Sequence, residues 1–286
     1  MEQQKSDGLY KICLQKKPRT IKTIFLRGGD CLNKHIGEEN LNNQGCLMKI
    51  VEYNKSNDIV VEFQDQYKTR VNSIYGNFRS GSIKNPYYPS VYGVGIIGTK
   101  YPRSANCKNI KEYETWRQIL RRCFDNEFKN RQPTYNSVDC CDEWLSYEKF
   151  YEWLHSQQNF NKWYNGKRWA VDKDIFVKRN KAYSPEMCCL VPQNVNCLFL
   201  KREADRGLYP IGVRYRDEGF MASCHNPFTD RREELGSYST PEKAFSIYKD
   251  YKEDLIKQVA EIEYKEGNIT EECYQAMKNY VVEIDD

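Results

Sequence analysis

The segment STPEKAFSIYKDYKEDLIKQVAEI, which runs from Ser239 to Ile262, constrains the fold more than any other stretch of the sequence. It begins with two helix-start signals, Thr240 at the N-cap and Pro241 at the first helical position. Apolar residues then recur at helical spacing and predict one buried face: Ala244, Phe245, Tyr248, Leu255 and Val259. Three strand-like runs, IGVRYR, GFMASCH and REELGSY, precede this helix. The sequence therefore predicts a three-stranded sheet packed on one long helix over residues 205–286.

The N-terminal third predicts β-structure instead. Residues 1–43 are polar and mixed, which indicates an irregular arm or a small strand unit. The runs LMKIVEY, DIVVEF and YKTRV are rich in β-branched and aromatic residues, and the Gly- and Pro-rich stretch after them supplies tight turns. We expect a small, barrel-like β module over residues 44–101. A groove for a peptide or nucleic acid, lined by Tyr87, Tyr88 and Tyr92, is the alternative interpretation.

Two amphipathic helices are predicted in the middle of the chain. The run EYETWRQILRRCF, residues 112–124, has apolar residues at helical spacing, and Arg117, Arg121 and Arg122 lie outside that stripe. These arginines either form an ordinary solvated face or follow a nucleic-acid backbone. The run DEWLSYEKFYEWLHSQ, residues 142–157, shows the same periodicity, and a further helix is expected from about Gln193.

Charge is distributed unevenly along the 286 residues. Residues 1–98 contain 14 Lys and Arg against 9 Asp and Glu, and residues 99–204 contain 19 against 13, so these segments carry +5 and +6. Residues 205–286 contain 11 against 18 and carry −7. Phosphate neutralisation by Lys and Arg supplies most non-specific nucleic-acid affinity, so a nucleic-acid surface is expected in the first two thirds.

The sequence contains neither an apolar run of ~18 residues nor the apolar core of a signal peptide. We therefore expect no membrane contact and a cytoplasmic location. In that compartment the 12 cysteines are expected to be free thiols or metal ligands, because disulfides are rare there.

Several motifs between residues 112 and 200 occur together, and they include the stretch VDKDIFVKRNKAYSPEMCCLVPQNVN. Their residues are Tyr113, Trp116, Arg122 and Cys123; Tyr135, Val138, Cys140 or Cys141, Trp144, Tyr147 and Phe150; and Asp172, Lys173, Asp174, Tyr183, Ser184, Pro185, Glu186, Cys188, Val191, Pro192 and Asn196. This set resembles the phage and homing HNH-type endonucleases. The resemblance implies a core of two strands and a helix (ββα) with flanking helices over residues 102–204.

The resemblance also implies a catalytic set of Asp172, Lys173 and Asn196, and a metal set of Asp172, Asp174 and Asn196. Mg²⁺ suits such hard oxygen ligands. However, Lys173 stands where the family offers the histidine that deprotonates water, and a lysine with an ordinary pKa near ~10.4 is a poor base. His155 and His225 are expected to be surface or packing residues. We therefore expect little or no catalysis, and a charged strand end with a capping asparagine is the plain alternative.

Structural zinc is not expected. The sequence has no C-x-x-C pair, and adjacent cysteines point in different directions along a strand, so at most one of each pair can bind one ion. Buried free thiols that pack as small hydrophobic groups are expected instead. The cysteines concerned are Cys123, Cys140, Cys141, Cys188, Cys189 and Cys197.

A second set of motif residues lies in the C-terminal third: Gly212, Val213, Phe220, Ala222, Leu235, Gly236, Tyr238, Thr240, Glu242, Ala244, Phe245 and Tyr248. This set resembles the plant ethylene-response-factor (APETALA two) type of DNA-binding domain. The resemblance implies DNA contacts from the sheet face, where Arg214 and Arg216 would point the same way. Carboxylates crowd the same strands and repel phosphate, so protein contact is an equal interpretation.

These patterns predict an α+β fold of an arm, a β module, an HNH-like core and a sheet-plus-helix module. The preferred function is a phage-encoded protein that binds double-stranded DNA in the cytoplasm of the infected bacterial host. A phage counter-defence protein that binds and inhibits a host DNA-targeting nuclease complex is the first alternative. An active Mg²⁺-dependent nuclease is the second, and self-association is left open.

Overall fold

The computed structural model describes residues 34–162, 168–200 and 208–286. The chain divides into two compact units, Met1–Asn85 and Pro86–Asp286. Most of the predicted arm, residues 1–33, lies outside the described residues. Both helices and several small sheets are present, so the predicted α+β class is confirmed.

The first unit contains a four-stranded antiparallel sheet in the order β1-β2-β3-β4. Alternate side chains of its strands meet on one face and build a small core with Phe78 and Ile83. Two of the predicted strands are found as β2 and β3, whereas the third, predicted over residues 67–71, starts only at Arg70, because Lys68 has positive φ in the turn before it. Strand β1 lies within the segment 1–43. The elements are β1 (Glu39–Leu41), β2 (Leu47–Lys55), β3 (Asp58–Phe63), β4 (Arg70–Ser73) and helix α1 (Tyr75–Ser80).

The second unit has an aromatic core built by two helices. Their apolar faces pack together, and Trp116 Nε1 donates a hydrogen bond to the Trp144 carbonyl at 2.7 Å. Tyr92, which was predicted to line a groove of the β module, packs against this core. The elements here are the hairpin β5 (Ser104–Ala105) and β6 (Lys108–Asn109), then α2 (Lys111–Phe124), α3 (Asn126–Arg131) and α4 (Tyr147–Ser156).

The single helix predicted over residues 142–157 is in fact two elements. Asp142–Leu145 forms a 3₁₀ turn, and α4 starts only at Tyr147. Between them Ser146 is extended, and its side chain caps α4 by accepting a hydrogen bond from the Lys149 amide at 3.5 Å. Periodicity did not reveal this break because Trp144, on the turn, still faces the same core as the helix.

Two small sheets and a helix follow. Strand β7 (Asp139–Cys140) pairs in parallel with β9 (Ala182–Tyr183), and β8 (Trp169–Asp172) pairs antiparallel with β10 (Cys189–Pro192). Helix α5 (Gln193–Leu198) leaves β10 directly and contacts both β8 and β10. The chain order in the region where the ββα core was predicted is thus β8, β9, β10 and α5. Residues 201–207, into which this helix was predicted to continue, are outside the described residues.

The C-terminal module is the predicted sheet on a long helix, and this prediction is confirmed. Thr240 Oγ1 accepts from the Lys243 amide at 3.3 Å and caps the helix. The apolar core of this module includes Val191 and Val195, so the predicted domains 102–204 and 205–286 share one core. None of the described helices is long and apolar enough to cross a membrane. The elements are β11 (Val213–Arg216), β12 (Gly219–Asn226), β13 (Arg231–Tyr238), α6 (Pro241–Lys265) and α7 (Glu271–Lys278).

Candidate functional site

The predicted catalytic segment forms the loop between β8 and β9, and Asp172 starts it. Its Oδ1 accepts hydrogen bonds from the backbone amides of Asp174 at 2.7 Å and Ile175 at 3.0 Å. The side chain is buried at the strand end, and this burial raises the pKa of Asp172 to about 6. Asp172 therefore caps the turn that leaves the strand, and its carboxyl keeps a proton to a higher pH than an ordinary aspartate does.

Lys173 closes the same loop. Its ammonium contacts both carboxylate oxygens of Asp174 at 2.8 Å and donates to the Asn180 carbonyl at 2.6 Å. The Asn180 side chain bridges the loop ends, because Nδ2 donates to the carbonyls of Lys173 and Ala182 and Oδ1 accepts from the Ala182 amide. Lys173 thus holds the loop together by contacts with Asp174 and Asn180.

The predicted metal ligands are only partly brought together. Asp172 and Asp174 lie in one turn, whereas Asn196 lies half-buried on α5. Oδ1 of Asp172 already accepts two amide hydrogen bonds, and both oxygens of Asp174 are taken by the Lys173 ammonium. A divalent ion needs carboxylate lone pairs and several waters around it, so this arrangement does not fit Mg²⁺ as it stands.

Cysteines lie near this loop, and their thiols are held protonated. Burial raises the pKa of Cys188 to about 12. A hydrogen bond with Cys123, followed by burial, raises the pKa of Cys140, and a hydrogen bond with Cys273 and burial raise the pKa of Cys189 in the same way. Within residues 34–162, 168–200 and 208–286, no group of three or more His, Cys, Asp or Glu side chains is arranged to hold a metal ion.

The histidines lie on other elements. His155, on α4, contacts Glu112 at 3.5 Å and stacks between Tyr151 and Phe160, and burial lowers its pKa. His225 lies at an exposed strand end, 3.3 Å from Asp230. Neither residue belongs to the β8–β9 loop.

The three arginines predicted to bind nucleic acid on α2 have different environments. Arg117 pairs with Glu114 at 3.0 Å, and Arg121 pairs with Asp125 at 3.5 Å. Arg122 instead donates to the Tyr183 hydroxyl at 3.0 Å and lies over the Tyr135 ring. Its guanidinium therefore joins α2 to strand β9, whereas the other two remain on the surface.

Arg214 and Arg216 share a face of the C-terminal sheet, as alternate residues of β11 should. Both contact the Glu234 carboxylate, at 3.2 and 3.4 Å, and Arg216 also contacts Asp217 at 3.0 Å. Phosphate binding at this face would have to compete with these carboxylates.

A basic hairpin was missed at the sequence level. The run TKYPRSANCKNIK, residues 99–111, contains four Lys and Arg and no carboxylate, and this was the signal available. The hairpin β5–β6 is exposed, and its two-residue turn has positive φ at Asn106 and Cys107. The Tyr147 hydroxyl fixes its base by donating to the Pro102 carbonyl at 2.8 Å.

Arg117 extends the charge of this hairpin. Burial raises the pKa of Tyr113, and the positive charges of Arg117 and Arg103 oppose that rise. We call the set Lys100, Arg103, Lys108, Lys111 and Arg117 the hairpin patch.

Comparison with known proteins gives no match: no protein-family model, no curated protein and no solved structure is significantly similar to this chain. The two resemblances above therefore depend on the motif residues alone.

Proposed function

We propose that this chain is a phage-encoded protein that binds nucleic acid, on a scaffold similar to HNH endonucleases, with weak or absent catalysis. The hairpin patch is the observation that carries this proposal. It concentrates cations on an exposed hairpin and on the adjoining α2, with no carboxylate between residues 99 and 111, and Arg103 and Lys108 lie on the exposed hairpin itself. Two other cations of the patch are paired, Lys100 with Glu152 and Arg117 with Glu114. Such a surface neutralises phosphates, which supplies the affinity of non-specific binding.

The β8–β9 loop supports weak or absent catalysis. A general base has to be free to accept a proton from water, whereas the Lys173 ammonium is held by Asp174 and the Asn180 carbonyl. Asp172 is engaged by two backbone amides. These contacts stabilise the loop.

The proposal is tested by the salt dependence of DNA binding. The double variant Arg103→Gln/Lys108→Gln should bind a short duplex roughly tenfold more weakly at low salt, and its salt slope should fall by about one for each phosphate that is no longer neutralised. Fluorescence anisotropy between about 50 and 200 mM salt measures both quantities.

The matched control is Lys243→Gln/Lys257→Gln, which removes the same charge from exposed positions of α6. This control should bind like the wild type. Equal weakening in both double variants would show that total charge decides binding, and the hairpin patch would then not be the site.

Protein binding is a second candidate for the C-terminal module. Tyr215 and Phe228 are about half exposed, and the neighbouring arginines are already paired with Glu234. Exposed aromatic side chains are favoured at protein interfaces. These features support the alternative of a counter-defence protein that binds and inhibits a host DNA-targeting nuclease complex. Binding that is insensitive to salt would favour it.

A further inference from the structure

The β8–β9 loop carries a second pair of cations, Lys178 and Arg179, which none of the motifs assigns. The loop ends are pinned by Asp172, Lys173 and Asn180, so the pair lies on a segment whose shape is fixed. Arg179 has a left-handed backbone with φ of 59°. A preorganised pair of this kind loses little entropy when it binds an anion.

This pair already binds anionic groups, and they come from the segment 281–286 of the same chain. Lys178 Nζ contacts Asp286 at 2.9 Å and Glu283 at 3.2 Å, and Arg179 contacts Asp285 at 2.7 Å. Lys178 also donates to the Val281 carbonyl at 2.7 Å. Three carboxylates thus form ion pairs with these two cations.

The segment has a fixed part and an exposed part. Val282 is buried, its amide donates to Glu253 and its carbonyl accepts from Lys249, while Asp286 is buried against the Glu283 amide. In contrast, the side chains of Glu283 and Asp285 are 51% and 65% exposed. These two carboxylates can therefore be changed without removing the contacts that anchor the segment.

Solvent reaches the cations as well. The Arg179 side chain is 49% exposed, and Lys178 lines an open cleft of about 420 Å³ together with Ile175, Phe176 and Tyr280. A phosphate can therefore approach the pair without unfolding the loop, and it competes there with the exposed Glu283 and Asp285 carboxylates and with the buried Asp286 carboxylate.

We infer that Lys178 and Arg179 form a phosphate-binding site. The carboxylates of residues 283–286, the acidic part of the segment, cover this site and compete with nucleic acid for it. This inference rests on the proposed function, because the backbone of a nucleic acid is the phosphate source that the function supplies. Carboxylates next to a phosphate site repel phosphate and reduce binding, so their removal opens the site.

The test is the double variant Glu283→Gln/Asp285→Asn of the full chain. At about 50 mM salt it should bind a short DNA duplex roughly three- to tenfold more tightly than the wild type, with a salt slope steeper by about one. The control Glu242→Gln/Asp250→Asn removes the same charge from exposed positions of α6 and should change binding little. Equal gains in the two double variants would overturn the inference.

We call Glu283→Gln/Asp285→Asn the opened variant. Adding Arg179→Gln to it should abolish the gain in DNA affinity, since one of the two cations is then gone. The single variant Asp285→Asn, at a well-exposed position, should show a smaller gain in the same direction if the double variant folds poorly. A gain that survives Arg179→Gln would contradict the assignment of the pair.

Tripolyphosphate, titrated by calorimetry, separates this inference from the proposed function. Tighter tripolyphosphate binding by the opened variant with no DNA binding by any form would support the phosphate site and contradict the proposed function. DNA binding by the wild type with no gain in either assay for the opened variant would contradict the site alone. Absence of both kinds of binding in every form would contradict both.

Discussion

Asp172 ends a strand inside the protein, where an ionised carboxylate is poorly solvated. Its ordinary pKa of 3.8 is raised to about 6 by this burial. Between these two pH values the unfolded chain has lost the proton and the folded chain keeps it. The folded state therefore gains stability from this group at acidic pH and loses it as the pH rises from about 4 to about 6.

The variant Asp172→Asn removes the charge and keeps an oxygen for both backbone amides. A difference of roughly two pKa units corresponds to about 3 kcal/mol, so the free energy of unfolding at pH 7 should rise by up to about 3 kcal/mol. The gain should approach zero at pH 4. Urea unfolding at both pH values measures it, with exposed Asp250→Asn as the control. A loss of stability at pH 7 would show that the ionised carboxylate is needed in the fold.

Arg122 shows what residue type alone does not reveal. Arg117 and Arg121 look identical to Arg122 as members of a polar helix face, but Arg122 donates a hydrogen bond to Tyr183 of strand β9. The partner, Tyr183, is 61 residues away along the chain, so no local pattern carries the contact. The prediction from sequence that these three arginines contact phosphate therefore could not distinguish Arg122 from Arg117 and Arg121.

Removing the Tyr183 hydroxyl tests the role of Arg122. Tyr183→Phe should lower the free energy of unfolding by about 1–3 kcal/mol, because a half-buried guanidinium loses its acceptor. The salt slope of DNA binding should stay unchanged. Urea unfolding and anisotropy measure the two effects, with exposed Tyr215→Phe as the control. A changed salt slope of DNA binding, with an unchanged free energy of unfolding, would show that Arg122 contacts nucleic acid.

At the scale of elements, periodicity and capping predicted the C-terminal sheet and helix well. Thr240, Pro241 and the apolar stripe act locally, within one helix, and such signals survive in any tertiary context. The β8–β9 loop was different. Its motif residues were found, but their engagement by backbone amides and by Asn180 depends on how the loop closes, which spacing does not determine.

Contact between the C-terminal sheet and α6 depends on a glycine. Gly212 has φ of +79°, and a Cβ built there would lie 2.1 Å from the ring of Tyr248. Gly212→Ala should therefore lower stability by at least about 3 kcal/mol through strain and the displaced ring. Circular dichroism should show a reduced Tm, whereas Gly76→Ala in α1, where a Cβ has space, should not. An unchanged Tm for Gly212→Ala would show that α6 packs against the sheet differently.

In the whole molecule, the basic and acidic segments of the sequence lie at defined places in the fold. The exposed hairpin patch belongs to the basic middle third, and an acidic segment of the last third reaches the β8–β9 loop through Lys178 and Arg179. The charge distribution along the sequence predicted that any phosphate-binding surface would lie in the first two thirds of the chain. It did not indicate that carboxylates from another third cover some of those cations, because that pairing exists only once the chain has folded.

We propose that this molecule binds nucleic acid without cutting it efficiently. The most direct measurement is a combined mobility-shift and cleavage assay on plasmid and linear DNA, with and without Mg²⁺ and Mn²⁺. We expect salt-sensitive DNA binding that is weaker in Arg103→Gln/Lys108→Gln, and we expect no metal-dependent nicking. Nicking that requires metal and disappears in Asp172→Ala would contradict the weak-catalysis claim, and absence of any binding would contradict the nucleic-acid function itself.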